Sequence, residues 1–233
     1  MTGIKNNRTS LEEGNSRDWR QTAEVFDKRA AEYDHWFEGN LVYEIERAAL
    51  QNLHTKVAGP KLEIGVGSGR FAQSLNISFG LDPARAPLLL AAQRGIMVCQ
   101  AVGEKLPIMD NSLGAIYLLF TLCFASNPQQ VLAESFRVLS DEGHLVLGMV
   151  PSSGKWGQEL AGKKKAGHAF YKHARFYTFA TVMHWFQETG FQIVEVRSTL
   201  YQPSGSVKKS EQPRDILDEQ AGFVVLVAGK AHE

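Results

Sequence analysis

The chain contains 233 residues, of which 44% are apolar, and its 25 lysines and arginines balance its 25 aspartates and glutamates. This length and composition predict a single α/β domain with a substantial core, and the balanced charge argues against a nucleic-acid partner. Its apolar runs fall short of the roughly 20 residues that span a bilayer, so we expect a cytoplasmic protein without a membrane segment. The two cysteines, Cys99 and Cys123, lie in apolar runs and predict buried free thiols.

The N-terminal part of the chain predicts a tail followed by two helices. Residues 1–18 are polar and charged, as is typical of a flexible tail, and we assign residues 19–233 to one domain. Apolar residues then recur at helical spacing over residues 19–37 and again over residues 41–54.

Predicted strands and helices alternate between residues 60 and 150. Each strand is a short apolar run, and two of the helices begin at a proline. This order of elements predicts a parallel sheet with helices on both faces. The predicted strands span residues 61–64, 77–81, 96–101, 113–120 and 144–150, and the helices between them span residues 70–75, 83–93 and 128–139.

The last third of the chain contains two long polar segments. Residues 151–177 contain glycines and many basic residues without clear periodicity, and they predict a long loop whose lysine run, 163–165, forms a mobile lid. Thr178 predicts the N-cap of a helix that runs through Glu188. A second long loop, residues 201–220, separates predicted strands at 191–200 and 223–228, which brings the number of predicted strands to seven.

Residues 65–69, Gly-Val-Gly-Ser-Gly, form a tight turn between the first strand and a helix, and we call them the glycine turn. A nucleoside triphosphate site requires Lys followed by Ser or Thr after the glycines, which Arg70 and Phe71 do not supply. A dinucleotide site requires its third glycine at the sixth position, where Arg70 stands. The turn instead suits S-adenosylmethionine, because amides at a helix N-terminus suit the carboxylate of its methionine part and Glu63 suits the cationic end.

A second carboxylate, Asp82, ends the second predicted strand 17 positions after Gly65. An acidic side chain at this place can accept hydrogen bonds from both hydroxyls of a ribose. It can also cap the helix that starts at Pro83, and the two roles are compatible.

Four segments together resemble the class I S-adenosylmethionine-dependent methyltransferases, in particular the ubiquinone and menaquinone methylase type (methyltransferase type 11). The resemblance is carried by Glu63 through Gly69, by Asp82, by Gly103-Glu104-Lys105-Leu106-Pro107, and by Glu134 through Gly148. It implies one Rossmann-like domain with a mostly parallel seven-stranded sheet, helices on both faces and an antiparallel last strand.

The resemblance also implies the cofactor and its contacts. The cofactor is S-adenosylmethionine, residues 60–150 form the part that binds it, and the residues before Glu104 hold the adenine. Two positions depart from the family pattern, because Val102 and Ala115 stand where carboxylates are common. The residues expected to bind the cofactor are Glu63, Gly65, Gly67, Gly69, Asp82, Pro83, Val102, Gly103, Glu104 and Phe120.

The acceptor of the methyl group is expected to be a small molecule. In similar enzymes an N-terminal Tyr-Asp element covers the cofactor, which makes residues 19–56 a candidate lid and Tyr33 a candidate catalytic residue, although Tyr33 could instead only pack its helix. Tyr171, His173 and Arg175 are further candidates, because their aromatic, imidazole and cationic groups suit an aromatic or anionic acceptor, with His173 as the candidate base. They could equally serve packing and solvation.

The sequence predicts no metal site, because His168 and His173 are five positions apart and do not share a helix face. Two other functions stay open beside methyl transfer. One is a regulatory protein that binds S-adenosylmethionine without catalysis. The absence of carboxylates at Val102 and Ala115 supports this alternative. The other is an NAD-dependent oxidoreductase. Arg70 argues against it, because it stands where a dinucleotide site requires glycine.

Overall fold

The computed structural model describes residues 19–56 and 58–231, so the tail predicted over residues 1–18 lies outside the described part. The strands form a seven-stranded sheet in the order β3-β2-β1-β4-β5-β7-β6. Their bounds are Lys61–Ile64 (β1), Phe79–Asp82 (β2), Met97–Gln100 (β3), Leu113–Leu119 (β4), Leu139–Met149 (β5), Phe191–Thr199 (β6) and Phe223–Lys230 (β7).

The first five strands pair in parallel, and β7 lies antiparallel to both β5 and β6. This confirms the predicted fold, a mostly parallel sheet with an antiparallel last strand. The helices are Trp19–Lys28 (α1), Ala30–His35 (α2), Leu41–Leu50 (α3), Arg70–Ser74 (α4), Arg85–Gln93 (α5), Pro128–Val138 (α6), Lys155–Lys165 (α7) and Phe179–Thr189 (α8).

The central strand β4 separates two layers of the core. Its Ile116 and Leu118 pack into one cluster with α6 and α8, whereas Tyr117 and Leu119 pack into the other with α3, α4 and α5. Alternate residues of a strand point to opposite faces, so a strand that is apolar throughout is buried on both. This arrangement explains why β4 reads as a continuous apolar run.

The single helix predicted over residues 19–37 is wrong, because the chain turns at Arg29 and forms α1 and α2. Nothing local breaks it, since the segment contains neither glycine nor proline. The two helices are held by different partners. Asp27 accepts a hydrogen bond from the Ala86 amide at 2.7 Å, whereas Asp34 pairs with Arg70. The contacts of Asp27 and Asp34 thus fix α1 and α2 to different parts of the protein, on either side of the turn at Arg29.

The loop predicted over residues 151–177 is also wrong, because this segment contains α7 and a short 3₁₀ turn, Tyr171–His173. The helix lacked a recognisable stripe because Gly157 is its only fully buried residue. Its lysine run, predicted to be a mobile lid, forms the last helical turn, where positive charge favours a helix C-terminus. Residues 201–220, all of which are described, contain neither helix nor strand, as expected.

Cys99 is exposed on β3, at the edge of the sheet, where we had expected a buried thiol. None of the helices between residues 19 and 231 is both long enough and apolar enough to cross a membrane.

Candidate active site

The glycine turn leaves the carboxyl end of β1 and docks against β2. The amides of Gly65 and Val66 donate to the carbonyl of Leu81 at 2.7 and 3.0 Å. Gly65, Gly67 and Gly69 all have positive φ, a backbone conformation that residues with a side chain rarely adopt. A Cβ on Gly65 would also clash with Thr121, and one on Gly67 would lie 3.1 Å from the ring of Tyr33. The glycines therefore let other side chains approach the turn closely.

Asp82 joins the end of β2 to the glycine turn. One carboxylate oxygen accepts from the Gly67 amide at 3.0 Å, and the other accepts from the Ala84 amide at 2.8 Å. Helix α5 begins only at Arg85 with Ala84 as its N-cap residue, so Asp82 is not the cap of a helix that starts at Pro83. A carboxylate has about four acceptor sites, so Asp82 keeps capacity for further donors. Burial raises the pKa of Asp82 to about 6, against the effect of the two amides.

Glu63 lies directly behind the turn and is only 2% exposed. Its Oε2 has no hydrogen-bond partner among the described residues. Burial, together with the charge of Asp82, raises the pKa of Glu63 well above its usual value, and the Ala72 amide opposes this only in part. A buried carboxyl without a full set of partners is costly unless a cation or donor completes it. The positive charges of S-adenosylmethionine at the turn would lower this cost through their field, without contacting the buried Glu63.

A cavity of about 470 Å³ opens beside the turn, within the range typical of small-molecule sites. Strand ends and the glycine turn line one side of it, and α1, α2, α3, α7 and the 3₁₀ turn line the other. Glu63 and Gly69 lie behind this lining, with Gly69 packed closely against Ala91 and Ile96. The expected cofactor residues that line the cavity are Gly65, Gly67, Asp82, Pro83, Val102, Gly103, Glu104 and Phe120.

The segment around Glu104 is held by the carboxylate of that residue. Its Oε1 accepts from the amides of Ser126 and Asn127 at 2.8 and 3.1 Å, just before α6 begins. Val102 and Gly103, which precede Glu104 in the chain, also line the cavity. Glu104 therefore shapes the wall of the cavity through the loop that precedes α6.

The Glu-x-x-Arg motif on α6 secures the same loop from beneath. Glu134 accepts from the Leu106 amide at 2.7 Å, and Arg137 donates to the carbonyls of Ile108 and Leu106 at 2.9 and 3.2 Å. The two side chains also pair with each other at 2.7 Å. The motif is thus a clamp that orders residues 106–108, directly after the segment that lines the cavity.

Phe120 ends β4 with a φ of 58°, a left-handed conformation that is uncommon outside glycine and marks local strain. Its amide donates to the Gly148 carbonyl at 2.9 Å, and its ring stacks on Phe223 with centroids 4.8 Å apart. The following residue, Thr121, donates to the Ile64 carbonyl at 3.0 Å and so connects β4 to the glycine turn. Sequence reasoning missed Thr121, because a single threonine after a strand carries no distinctive signal.

Tyr33 packs over the glycine turn and is surrounded by aromatic rings. Its ring centroid lies 5.1 Å from that of Phe26, 5.8 Å from Trp36 and 5.3 Å from Phe37. Burial raises the pKa of Tyr33 well above its usual value. The neighbouring Asp34 ties the helix down through Arg70 and Arg94.

The three candidates near residue 173 do not come together. Tyr171 lines the cavity, and burial raises its pKa to about 12. His173 lies instead in a separate depression beside Glu24 and Lys28. Arg175 donates its amide to the Cys123 carbonyl at 2.7 Å and is not among the described residues that line the cavity. Within the described ranges, no group of three His, Cys, Asp or Glu residues is placed to hold a metal ion.

Sequence reasoning also missed Glu46, which lines the cavity from α3. Nothing in the sequence distinguishes it from Glu44, two positions earlier, which is exposed and paired with Arg47. Other lining residues that it missed are Trp19, Phe26, Trp156 and Lys163.

Several known proteins are similar to this chain. Residues 62–147 match a family model described as a methyltransferase domain. An uncharacterized protein of Mycobacterium tuberculosis is 39% identical over 230 residues, covering 92% of this chain and 81% of the relative. An uncharacterized protein of Methanocaldococcus jannaschii is 36% identical over 207 residues, covering 88% of this chain and 98% of the relative.

Among solved structures, the chain is similar to a Thermotoga maritima S-adenosylmethionine-dependent methyltransferase described as a possible histamine N-methyltransferase. The TM-score is 0.83 at 31% identity, and the match covers 89% of this chain and 99% of the other. The glycine turn, Asp82, the cavity and this likeness agree with one another. The chain belongs to the class I S-adenosylmethionine-dependent methyltransferases, and its cofactor is S-adenosylmethionine.

Proposed function

We propose that this protein transfers a methyl group from S-adenosylmethionine to a small acceptor bound in the aromatic part of the cavity. The observation that carries the proposal is the contact between Tyr33 and Gly67, because it joins the turn that suits the cofactor to the aromatic wall contributed by α1 and α2. The cofactor supplies an activated methyl group on its sulfonium. The protein has to bind the acceptor, orient its nucleophilic atom and exclude water, and such positioning alone can contribute roughly 7–11 kcal/mol.

For the cofactor we propose the following contacts. Asp82 accepts hydrogen bonds from the ribose hydroxyls, and the backbone of Val102 and Gly103 holds the adenine in place of the acidic side chain that Val102 replaces. The glycine turn binds the methionine part, and Glu63 balances its positive charge. These roles are supported by the free acceptor capacity of Asp82 and by the incompletely bonded carboxyl of Glu63.

For the acceptor we propose that residues 19–56 act as a lid and that Tyr33 and Tyr171 contact the bound molecule. The aromatic lining favours an aromatic acceptor. An anionic acceptor has less support, because Lys163 is the one cationic side chain among the described lining residues and Arg175 lies elsewhere. The Thermotoga maritima relative is described as a possible histamine N-methyltransferase, so amines should also be tested as acceptors.

The alternative functions have weaker support. A regulatory protein without catalysis was suggested by Ala115, but this residue is fully buried within the sheet and no missing catalytic carboxylate need be inferred there. An NAD-dependent oxidoreductase would need a glycine where Arg70 stands, yet Arg70 is engaged with Asp34.

The test is methyl transfer itself, measured as S-adenosylhomocysteine formed from S-adenosylmethionine with a library of small amines, phenols and carboxylates. The control is Gly67→Asp, which places a charged side chain against Tyr33 and should abolish cofactor binding. Binding of S-adenosylmethionine no tighter than in Gly67→Asp would contradict the proposal. Tight binding without turnover on any library member would favour the regulatory alternative.

A further inference from the structure

Glu46 occupies a distinct place in the cavity wall. Helix α3 buries Ile45, Ala49 and Leu50 in the core, while Val42, Tyr43 and Glu46 line the cavity. Residues three and four positions apart share one side of a helix, so the three lining residues form a continuous strip. The strip is polar only at the carboxylate of Glu46 and the hydroxyl of Tyr43, and that hydroxyl already donates to the Arg70 carbonyl at 3.0 Å.

The carboxylate of Glu46 has no hydrogen-bond donor or cation paired with it among residues 19–56 and 58–231. The other two carboxylates of the lining, those of Asp82 and Glu104, each accept two backbone amides. Burial alone raises the pKa of Glu46 to about 8. Glu46 is half-buried, and a carboxylate that lines a cavity without a donor can be completed by a ligand that supplies one.

The groups around Glu46 define what that ligand can be. The carboxylate interacts electrostatically with the phenols of Tyr33 on α2 and Tyr171 in the 3₁₀ turn, both of which line the same cavity. Neither phenol is positively charged, and burial raises the pKa of both. The other ionisable lining residues are Tyr43, Asp82, Glu104, Cys123, Lys163 and Tyr177.

Tyr33 connects Glu46 to the cofactor side. Its ring lies against Gly67 in the glycine turn, and its phenol lies in the field of Asp82 and Glu63 and, more weakly, of Glu46. The rings of Trp36 and Phe170 pack nearby, with centroids 5.8 and 5.9 Å from that of Tyr33. Aromatic faces attract cations, and a carboxylate among them repels anions.

We propose that Glu46 is the residue that recognises the acceptor, and that the acceptor is a small amine. The ammonium form of the amine donates hydrogen bonds to the Glu46 carboxylate, and its apolar part packs on the rings of Tyr33, Trp36 and Tyr171. Before transfer the nitrogen gives one proton to that carboxylate, and its lone pair then forms the bond to the methyl carbon as the carbon–sulfur bond breaks. This inference rests on the proposed methyltransferase function and names the substrate class of the same site. It differs from the expectation from sequence, which included an anionic acceptor.

Binding of an amine at Glu46 has a measurable consequence. With a pKa near 8, about nine-tenths of free Glu46 is protonated at pH 7. An ammonium group favours the ionised carboxylate, so binding should release close to one proton per amine at pH 7. The release should fall close to zero near pH 9, where Glu46 is already mostly ionised and the amines are still mostly charged. A residue with a purely structural role would not produce this release.

The experiment is calorimetric titration of the protein saturated with S-adenosylhomocysteine. The amine probes are benzylamine, 2-phenylethylamine and tryptamine, and the matched controls are the neutral 2-phenylethanol and the anionic 3-phenylpropionate. Each titration is repeated in phosphate and in MOPS at pH 7, since the difference in heat reports the protons released and neither buffer is a primary amine. The variants are Glu46→Gln, Glu46→Asp and, as a control on the exposed side of the same helix, Glu44→Gln.

We expect at least one amine to bind more tightly than both controls, with proton release. Glu46→Gln should lower the affinity for that amine at least about tenfold and abolish the proton release, because a hydrogen bond to a charged group is lost. Glu46→Asp should be intermediate, and Glu44→Gln should match the original protein. All variants should keep their affinity for S-adenosylhomocysteine, which also shows that they are folded.

Three results would overturn the inference. The first is that no amine binds more tightly than 2-phenylethanol. The second is that Glu46→Gln binds the amine with unchanged affinity and unchanged proton release. The third is that Glu46→Gln lowers the affinity for S-adenosylhomocysteine as much as it lowers the affinity for the amine. If Glu46→Gln does not fold, Glu46→Asp decides alone, and unchanged amine affinity in it counts against the inference. Failure of the unaltered protein to bind S-adenosylhomocysteine would instead contradict the proposed function.

Discussion

Asp34 and Arg70 form a paired contact that fastens α2 to the helix following the glycine turn. The Nε and Nη2 atoms of Arg70 donate to the two carboxylate oxygens of Asp34 at 2.8 and 2.7 Å, and Arg94 adds a third bond at 2.8 Å. Such two-bonded pairs are the stronger class of charged hydrogen bond. Because Tyr33 precedes Asp34, this contact also sets the position of the ring that covers Gly67.

Removing the Asp34 carboxylate should loosen the lid. We expect Asp34→Asn to lower the free energy of unfolding by about 2 kcal/mol, since two arginines lose a partly buried partner. It should also weaken S-adenosylmethionine binding through Tyr33. Urea denaturation and calorimetric titration measure the two effects, and Glu32→Gln, in an exposed pair with Arg29, is the control that should change neither.

The effect of Asp34 should depend on pH. Partial burial acts to raise the pKa of Asp34, but the hydrogen bonds from Arg70 and Arg94 outweigh it and hold the pKa well below its usual value of about 4. A lowered pKa contributes stability above the unfolded value and loses it as pH falls through the folded one. The stability difference between the original protein and Asp34→Asn should therefore be constant above pH 5 and shrink below pH 4. A difference that stays constant down to pH 2.5 would contradict this account.

Alanine substitutions at Gly67 and Gly95 distinguish the effect of backbone strain from damage to the cofactor site. Both have positive φ, 51° and 84°, but a Cβ on Gly67 would meet Tyr33 whereas one on Gly95 would meet no atom within 4 Å. Alanine should cost each protein roughly 1 kcal/mol of stability from the left-handed conformation. Only Gly67→Ala should lose S-adenosylmethionine affinity, by at least about tenfold. Equal loss of affinity in the two variants would show that the effect is general destabilisation.

Arg137 is expected to act on the cofactor site from a distance. Replacing it with methionine removes its bonds to the carbonyls of Ile108 and Leu106, and we expect a loss of about 1–2 kcal/mol of stability. Cofactor affinity should fall severalfold, since the wall at Val102 and Gly103 loses its support. Asp110→Asn, which alters only the exposed partner of Arg137, is the control and should change stability by less than about 0.5 kcal/mol.

Asp82 should make cofactor binding dependent on pH. Burial raises its pKa to about 6, so its carboxylate becomes protonated as pH falls through that value. If the ionised form accepts the ribose hydroxyls, affinity for S-adenosylhomocysteine should decline between pH 7 and pH 5. Asp82→Asn should bind more weakly and should lack this dependence. A decline of the same size in Asp82→Asn would assign the pH effect to another group.

The parts of the site that could be predicted from sequence depend on local chemistry. A turn with glycines at alternate positions requires positive φ at those positions whatever surrounds it, and an apolar run as long as β4 must be buried on both faces. For the same reason the N-cap at Thr178 was predictable, because its side chain bonds to Thr181 within one turn of the chain.

Other features depended on what the rest of the chain places beside them. Helix α7 could not be recognised, because a helix that buries only a glycine has no apolar stripe to read. His173 and Arg175 share a segment with Tyr171, yet only Tyr171 faces the cavity, since the direction of each side chain follows from how the 3₁₀ turn packs.

The sequence by itself therefore determined the cofactor, because the residues that suit it are a turn and two strand ends whose geometry is local. The tertiary structure decided the acceptor side. Glu44 and Glu46 are the same residue type on one helix, and only the packing of α3 against the core exposes one and turns the other into the cavity. That packing leaves Glu46 half-buried in the cavity wall without a partner among the described residues, which is why it could be identified only in the folded protein.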